Sequence, residues 1–240
     1  VGLSMGDGTS VAKEASDITI IDNSFSSICR AVMWGRSLYQ NIQRFLLFQL
    51  TVNVAACFIV LVGAFMGTES PLTVTQMLWV NLIKDKPRDR KAFILTKPMM
   101  KDIIGVGGFF FLLLVAFLYI FQHTEITQMT DLLHCQIGEA NGLSSYEQTL
   151  LFSIFVWTHL WYMFNTRSFE TGKSFFQLKM SKEFFSIVAI IFIGQIVIVE
   201  VLYDFFNCTP MKLVDWIIIV VLSSLVLWIR ELWHLLTKRS

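Results

Sequence analysis

Every lysine and arginine but Lys212 falls at the two ends of the chain, up to the edge of the last long apolar run, or in alternate gaps between such runs. The runs lie near residues 45–66, 72–83, 103–121, 149–164, 184–203 and 214–230. The gaps at 122–147 and 204–215 carry Glu125, Asp131, Glu139, Glu147, Asp204 and Asp215 instead. A helix of ~20 apolar residues spans the ~30 Å hydrocarbon core of a bilayer, and basic residues collect on the cytoplasmic side. This pattern predicts an all-α polytopic membrane bundle of about six transmembrane helices, with both termini cytoplasmic. The second run is short: about twelve residues cover roughly 18 Å as helix. Removing it would scatter the basic gaps over both sides, so it is kept as a span under hydrophobic mismatch. A hydrophobic content of 55% fits this class better than a soluble domain.

Residues 1–31 read differently. Val1–Met5 is apolar and strand-like, Gly6-Asp7-Gly8 is a turn signal, and Thr9 or Ser10 is placed to cap a short helix through Ala15. Ile18-Thr19-Ile20-Ile21 is β-branched and closes at Asp22-Asn23. Strand, helix and strand together suggest the edge of an α/β domain, too small to bury a core by itself. The domain division expected is therefore 1–31, an α/β remnant, and 32–240, the membrane domain. The start lacks an initiator Met and the basic-then-apolar order of a signal peptide, which fits a fragment.

From Ser24 a helical pattern of Ile28, Val32, Leu38, Ile42 and Leu46 runs unbroken into the first span. That span carries Gln49, Thr51 and Asn53. Asn53 has two readings, a helix–helix hydrogen bonder and an ion ligand. At the end of the second run stand Asn81, Lys84 and Asp85. Asn81 and Asp85 are one helical turn apart, so an amide and a carboxylate share a face and can offer oxygens to one hard cation. Lys84 stands between them as a competing charge, unless its long stem snorkels to the interface. Thr158, His159 and Gln195 are expected to hydrogen-bond between helices, and Glu200 to lie solvated near the interface. Trp79, Trp157, Trp161, Trp216 and Trp228 include interface anchors.

Cys29, Cys57, Cys135 and Cys208 show no metal-binding spacing. Cys135 and Cys208 fall on the same side, which leaves a disulfide and two free thiols open. The balance of 19 basic and 18 acidic residues gives no footing for nucleic acid.

Four segments carry a family resemblance. Val1-Gly2-Leu3-Ser4-Met5-Gly6-Asp7-Gly8-Thr9-Ser10, continuing to Asp17, closely resembles the segment that closes the phosphorylation domain of P-type cation pumps. Gly35-Arg36-Ser37-Leu38-Tyr39-Gln40-Asn41-Ile42 is similar to the stalk entry of the fifth membrane helix, and Leu50-Thr51-Val52-Asn53-Val54 to its ion-facing turn. Gln76-Met77-Leu78-Trp79-Val80-Asn81-Leu82-Ile83 resembles the start of the sixth. The chain thus resembles the C-terminal portion of a type II calcium-transporting P-type ATPase of the plasma-membrane-like, bacterial kind, with the sixth helix truncated.

The resemblance implies calcium as transported ion, Asn81 and Asp85 as the ligands this chain supplies, and Gln49, Asn53 and Lys84 as ion-path or helix-packing candidates. Ala56 stands where two-site pumps carry Glu, which implies a single calcium site. Lys84 stands where Thr or Met is usual. The phosphorylated Asp-Lys-Thr-Gly-Thr, the nucleotide and actuator domains and the fourth-helix Pro-Glu-Gly are not in this sequence. ATP and magnesium would act only in the complete pump, with the N-terminal part as partner and no catalytic residue here. Asp7 falls beside the family's magnesium motif and not on it; Lys13 and Asp17 are expected to hold the domain edge. The setting implied is the bilayer of a bacterial inner membrane. The alternative is a stand-alone, degenerate membrane protein or pump partner without transport activity.

Overall fold

A computed structural model of the chain describes residues 1–67, 71–82, 97–134, 137–140, 142–169, 174–178 and 182–237. Contacts divide it into two units, Val1–Phe45 and Leu46–Ser240.

In the first unit, β1 (Leu3–Met5) and β2 (Ile18–Ile20) pair in parallel, with Leu3 opposite Ile18 and Met5 opposite Ile20. The crossover contains α1 (Ser10–Glu14), whose N-cap Thr9 accepts the Ala12 amide at 3.3 Å. Ser4 fixes the crossover by hydrogen bonds to Ser16 at 2.7 Å and Thr19 at 3.0 Å. Gly6 is required by close approach: a Cβ there would stand 2.8 Å from the Ile21 carbonyl oxygen. Asp22 accepts from the Ser24 amide and the Ser27 hydroxyl where helix α2 (Phe25–Phe65) begins. The Ser27 hydroxyl bond holds the Asp22 carboxyl below the usual carboxylate range. Two strands leave much apolar surface uncovered. Leu3, Ile18, Ile21 and Val32 are exposed, and a concavity of about 700 Å³ runs along Leu3, Ile18, Ile20, Ile28 and Val32.

The second unit is helical. After α2 come α3 (Val74–Leu82), α4 (Lys97–Gln122), α5 (Ser145–Arg167), α6 (Lys182–Glu200), the single turn α7 (Tyr203–Phe206) and α8 (Leu213–Thr237). Helix α5 is the hub and packs on α4, α6 and α8. Its Ser144 N-cap and Glu147 form a reciprocal capping box. Phe152, Phe155, Trp157 and Tyr162 are buried, and so are the polar Thr149, Ser153, Thr158, His159 and Asn165.

The distribution is inverted relative to a soluble protein. The helix richest in polar groups lies inside, while the most apolar helices turn Ile104, Leu112, Ile190, Ile193, Leu222 and Leu225 outward. Water would not tolerate so much contiguous apolar surface, and lipid does. By length and composition α2 and the Met99–Gln122 part of α4 are long and apolar enough to cross a membrane; Phe184–Glu200 and Leu213–Ile229 are shorter apolar stretches. Helix α5 owes its weaker apolar character to polar side chains that meet other helices rather than lipid. Helix α3 has nine residues, about 14 Å at 1.5 Å per residue; the chain that follows Leu82 lies outside the described residues.

One end of the bundle is tied by carboxylates. Asp215, fully buried at the start of α8, accepts the Met129 amide at 2.7 Å and the Tyr146 hydroxyl. Glu147 accepts the Ile126 amide at 3.0 Å and the Ser144 amide at 2.8 Å. Burial, reinforced by the Asp215 carboxylate, holds the Tyr146 phenol well above its ordinary range. Cys208 is a free thiol beside Gln76, its pKa pushed up by burial; Cys135 lies outside the described residues.

Candidate ion site in the helix bundle

Gln49 and Asn53 are one turn apart on α2, which places both amides on one face. The structure brings them together: Gln49 Nε2 donates to Asn53 Oδ1 at 3.1 Å. Gln49 is buried and Asn53 half-buried. Thr51, between them in sequence, faces the other way. Its hydroxyl donates to the Leu47 carbonyl at 2.8 Å and lies 3.3 Å from the Tyr162 hydroxyl, and its methyl meets Gly107 of α4. So α2 packs through Thr51 and turns a polar pair away from that seam. Asn53 Oδ1 keeps a second lone pair beyond the Gln49 bond.

Asn81 is in the last turn of α3, and nothing of its side chain is described; Lys84 and Asp85 lie outside the described residues. Among the described residues no three His, Cys, Asp or Glu side chains are grouped to hold a metal.

The interhelical hydrogen bonds are made by other residues than the sequence suggested. Thr158 Oγ1, His159 Nε2 and both amide atoms of Gln195 find no partner among the described residues. The other ring nitrogen of His159 turns back to the Phe155 carbonyl of its own helix. The bonds form instead from Asn165 Nδ2 to the Val226 carbonyl at 3.1 Å, from Gln122 Nε2 to the Met66 carbonyl at 3.1 Å, and from Gln76 Nε2 to the Phe206 carbonyl at 3.1 Å. All three are amides near the ends of their own helices; Gln122 and Gln76 reach carbonyls at the end of another helix, which that helix does not satisfy itself, and Asn165 reaches a carbonyl in the middle of α8. That position was the available signal. Glu200 is not simply solvated either: its Oε1 accepts the Trp216 indole at 2.8 Å and the Met211 amide at 3.2 Å, tying α6 to α8. Trp157 is a core residue, packed edge-on against Phe192 and Trp216.

In the first unit Asp7 is engaged by Asn23, through the Asn23 side-chain amide and its own backbone N–H. Asp17 accepts the Gly2 amide at 2.9 Å and so holds the edge of the sheet.

An inverted helical bundle with polar residues gathered inside defines an integral membrane protein. Comparison with known proteins refines this. The family described as "Cation transporting ATPase, C-terminus" matches residues 82–236. The chain belongs to that family. It is 37% identical to human plasma membrane calcium-transporting ATPase 4, over 90% of this chain and 19% of the relative. It is 36% identical to plasma membrane calcium-transporting ATPase 2 of Oreochromis mossambicus, over 90% of this chain and 21% of the relative. Plasma membrane calcium-transporting ATPase 1 of Gallus gallus is likewise 36% identical, over 90% of this chain and 19% of that protein. The chain therefore spans about a fifth of the length of these relatives.

Proposed function

We propose that the chain is the C-terminal transmembrane part of an ATP-driven calcium pump, supplying part of one ion site and not competent alone. The observation that carries this is the Gln49–Asn53 pair, two amides hydrogen-bonded on one face of a helix long enough to cross the bilayer. Intramembrane polar groups are costly and are kept where they serve a pathway. The relatives are named as calcium-transporting pumps of the plasma membrane, which supports calcium as the ion.

On this reading Asn53, Asn81 and Asp85 offer oxygens, while Gln49 orients Asn53 through its amide. Calcium takes six to eight oxygens, so the remaining ligands come from elsewhere in the complete pump. Ala56 keeps the number of sites at one, and Lys84 opposes binding. The uncovered sheet of the first unit belongs to a larger cytoplasmic phosphorylation domain, where ATP and magnesium act. Both termini are cytoplasmic, as the sorting of lysine and arginine supports, and the membrane is the cell membrane, that of a bacterium on the resemblance.

The test is a graft of this chain in place of the matched region of human plasma membrane calcium-transporting ATPase 4, followed by calcium uptake into vesicles. Uptake that Asn53→Ala and Asp85→Ala each abolish supports the assignment. Uptake indifferent to both substitutions overturns it.

A further inference from the structure

Helices α6 and α8 leave a groove of about 570 Å³ between them, within the ~300–1,000 Å³ range of small-molecule pockets. Its walls are Phe192, Ile196, Ile217, Val220 and Val221, and Trp157 closes its floor. Ile217 and Val221 are more than half exposed, so the groove opens sideways from the bundle onto the surface that lipid covers. One end is different. There Glu200 spends its Oε1 on the Trp216 indole and the Met211 amide, at 2.8 and 3.2 Å, and its Oε2 meets no donor among the described residues. No cation pairs with Glu200 among the described residues, and the Lys212 ammonium is turned to Gln128 Oε1 at 3.3 Å.

A half-buried carboxylate with one free oxygen, at the mouth of an apolar, lipid-facing groove, is placed to receive a cation carried by whatever fills the groove. The same geometry says what kind of cation. It must come attached to a hydrocarbon chain that fills the groove, and it must carry N–H donors to meet the free carboxylate oxygen.

We propose that this groove binds one phosphatidylethanolamine molecule, with an acyl chain along Ile196, Ile217 and Val220 and its primary ammonium on Glu200 Oε2. Phosphatidylcholine fills the groove equally well but offers no N–H. Phosphatidylglycerol is anionic and meets the carboxylate with like charge. The inference rests on α6 and α8 being membrane helices and is independent of which ion the pump carries.

Native mass spectrometry of the full chain, with the three lipids on identical acyl chains, tests it. The unmodified chain is expected to retain one phosphatidylethanolamine with about tenfold preference over phosphatidylcholine, the scale of one charged hydrogen bond. Glu200→Gln keeps an acceptor for Trp216 and Met211 and removes only the charge; the preference should fall to about one. Ile217→Trp fills the groove and should remove retention of all three lipids. Equal retention of the lipids by the unmodified chain overturns the proposal, and that comparison needs no variant to fold. So does a full preference surviving in Glu200→Gln, or a lipid-free dimer in which a second copy takes the groove.

Discussion

The indole of Trp79 lies so close to Gly194 that a Cβ there would stand 2.8 Å from its Cη2 and 2.9 Å from its Cζ2. This joins α3 to α6, beside the Gln76 bond that joins α3 to α7 and the packing of Met77 and Val80 on the core. Gly194→Val would gain something under 1 kcal/mol of helix propensity and lose about 1–3 kcal/mol to overpacking. The expected result is a net loss of stability in detergent, with a shift in tryptophan fluorescence as the ring is displaced. An unchanged melting temperature and spectrum would show that the ring swings aside freely.

Asp215 ties three elements at one end of the bundle. Its carboxylate meets the Met129 amide, on the turn after α4, and the Tyr146 hydroxyl, at the start of α5, from inside the fold. Asp215→Ala leaves a buried N–H and a part-buried O–H unsatisfied, a loss of about 2 kcal/mol. Asp215→Asn retains an acceptor for Met129 and should lose markedly less. Thermal unfolding of the two variants decides the matter: equal losses would mean that the carboxylate charge, not the acceptor, is what Met129 needs.

The Tyr146 phenol is held above its ordinary pKa of ~10, first by burial and then by Asp215. The folded state therefore keeps this proton when the unfolded chain has already lost it. The contribution is complete below pH ~10 and disappears as pH rises toward the folded-state value. The free energy of unfolding, followed from about pH 9 to 11, should fall less steeply with pH in Tyr146→Phe than in the unmodified chain. Parallel slopes would remove Tyr146 from the account.

How much of this was legible in the sequence differs by element. The strand, turn and strand of residues 3–20 were, because Gly6, Thr9 and the β-branched Ile18-Thr19-Ile20 each act through backbone neighbours. Helix α2 was, because its periodicity is unbroken from Ile28 to the apolar run. Helix α5 showed as a span, but its place at the hub did not. Burying Thr149, Ser153 and Asn165 depends on neighbours forty or more residues away, and apolarity alone ranks such a helix last. The bonds of Glu200 to Trp216 and of Asp215 to Met129 have the same origin. Each pairs groups remote in sequence, and a carboxylate near a span end reads as solvated until the second helix is in place. Gln49 and Asn53 were legible as a pair because a helix repeats locally.

The thiols report the orientation of the chain. Cys29 is exposed in the first unit, and Cys208 is buried with its pKa pushed up, so little thiolate forms at neutral pH. In a Cys135→Ser background, an impermeant maleimide should label Cys29 rapidly from the cytoplasmic face only, and Cys208 slowly and from the external face only. Labelling of Cys29 from the external face would reverse the proposed topology.

The proposed site carries its own obstacle in Lys84, three residues after Asn81 and next to Asp85. A like charge at about 4 Å costs a divalent ion several kcal/mol where water is scarce and the effective dielectric is near 20. The ammonium escapes this only by extending its stem to the interface, which the short second span favours. The two arrangements separate in one measurement. In the grafted pump, Lys84→Met is expected to raise calcium affinity by tenfold or more if the ammonium stands near the ligands, since ~1.4 kcal/mol is enough for that factor. Lys84→Arg should leave it low. Affinity unchanged in Lys84→Met would mean that the lysine already reaches the interface and that the oxygens of Asn53, Asn81 and Asp85 are free of it.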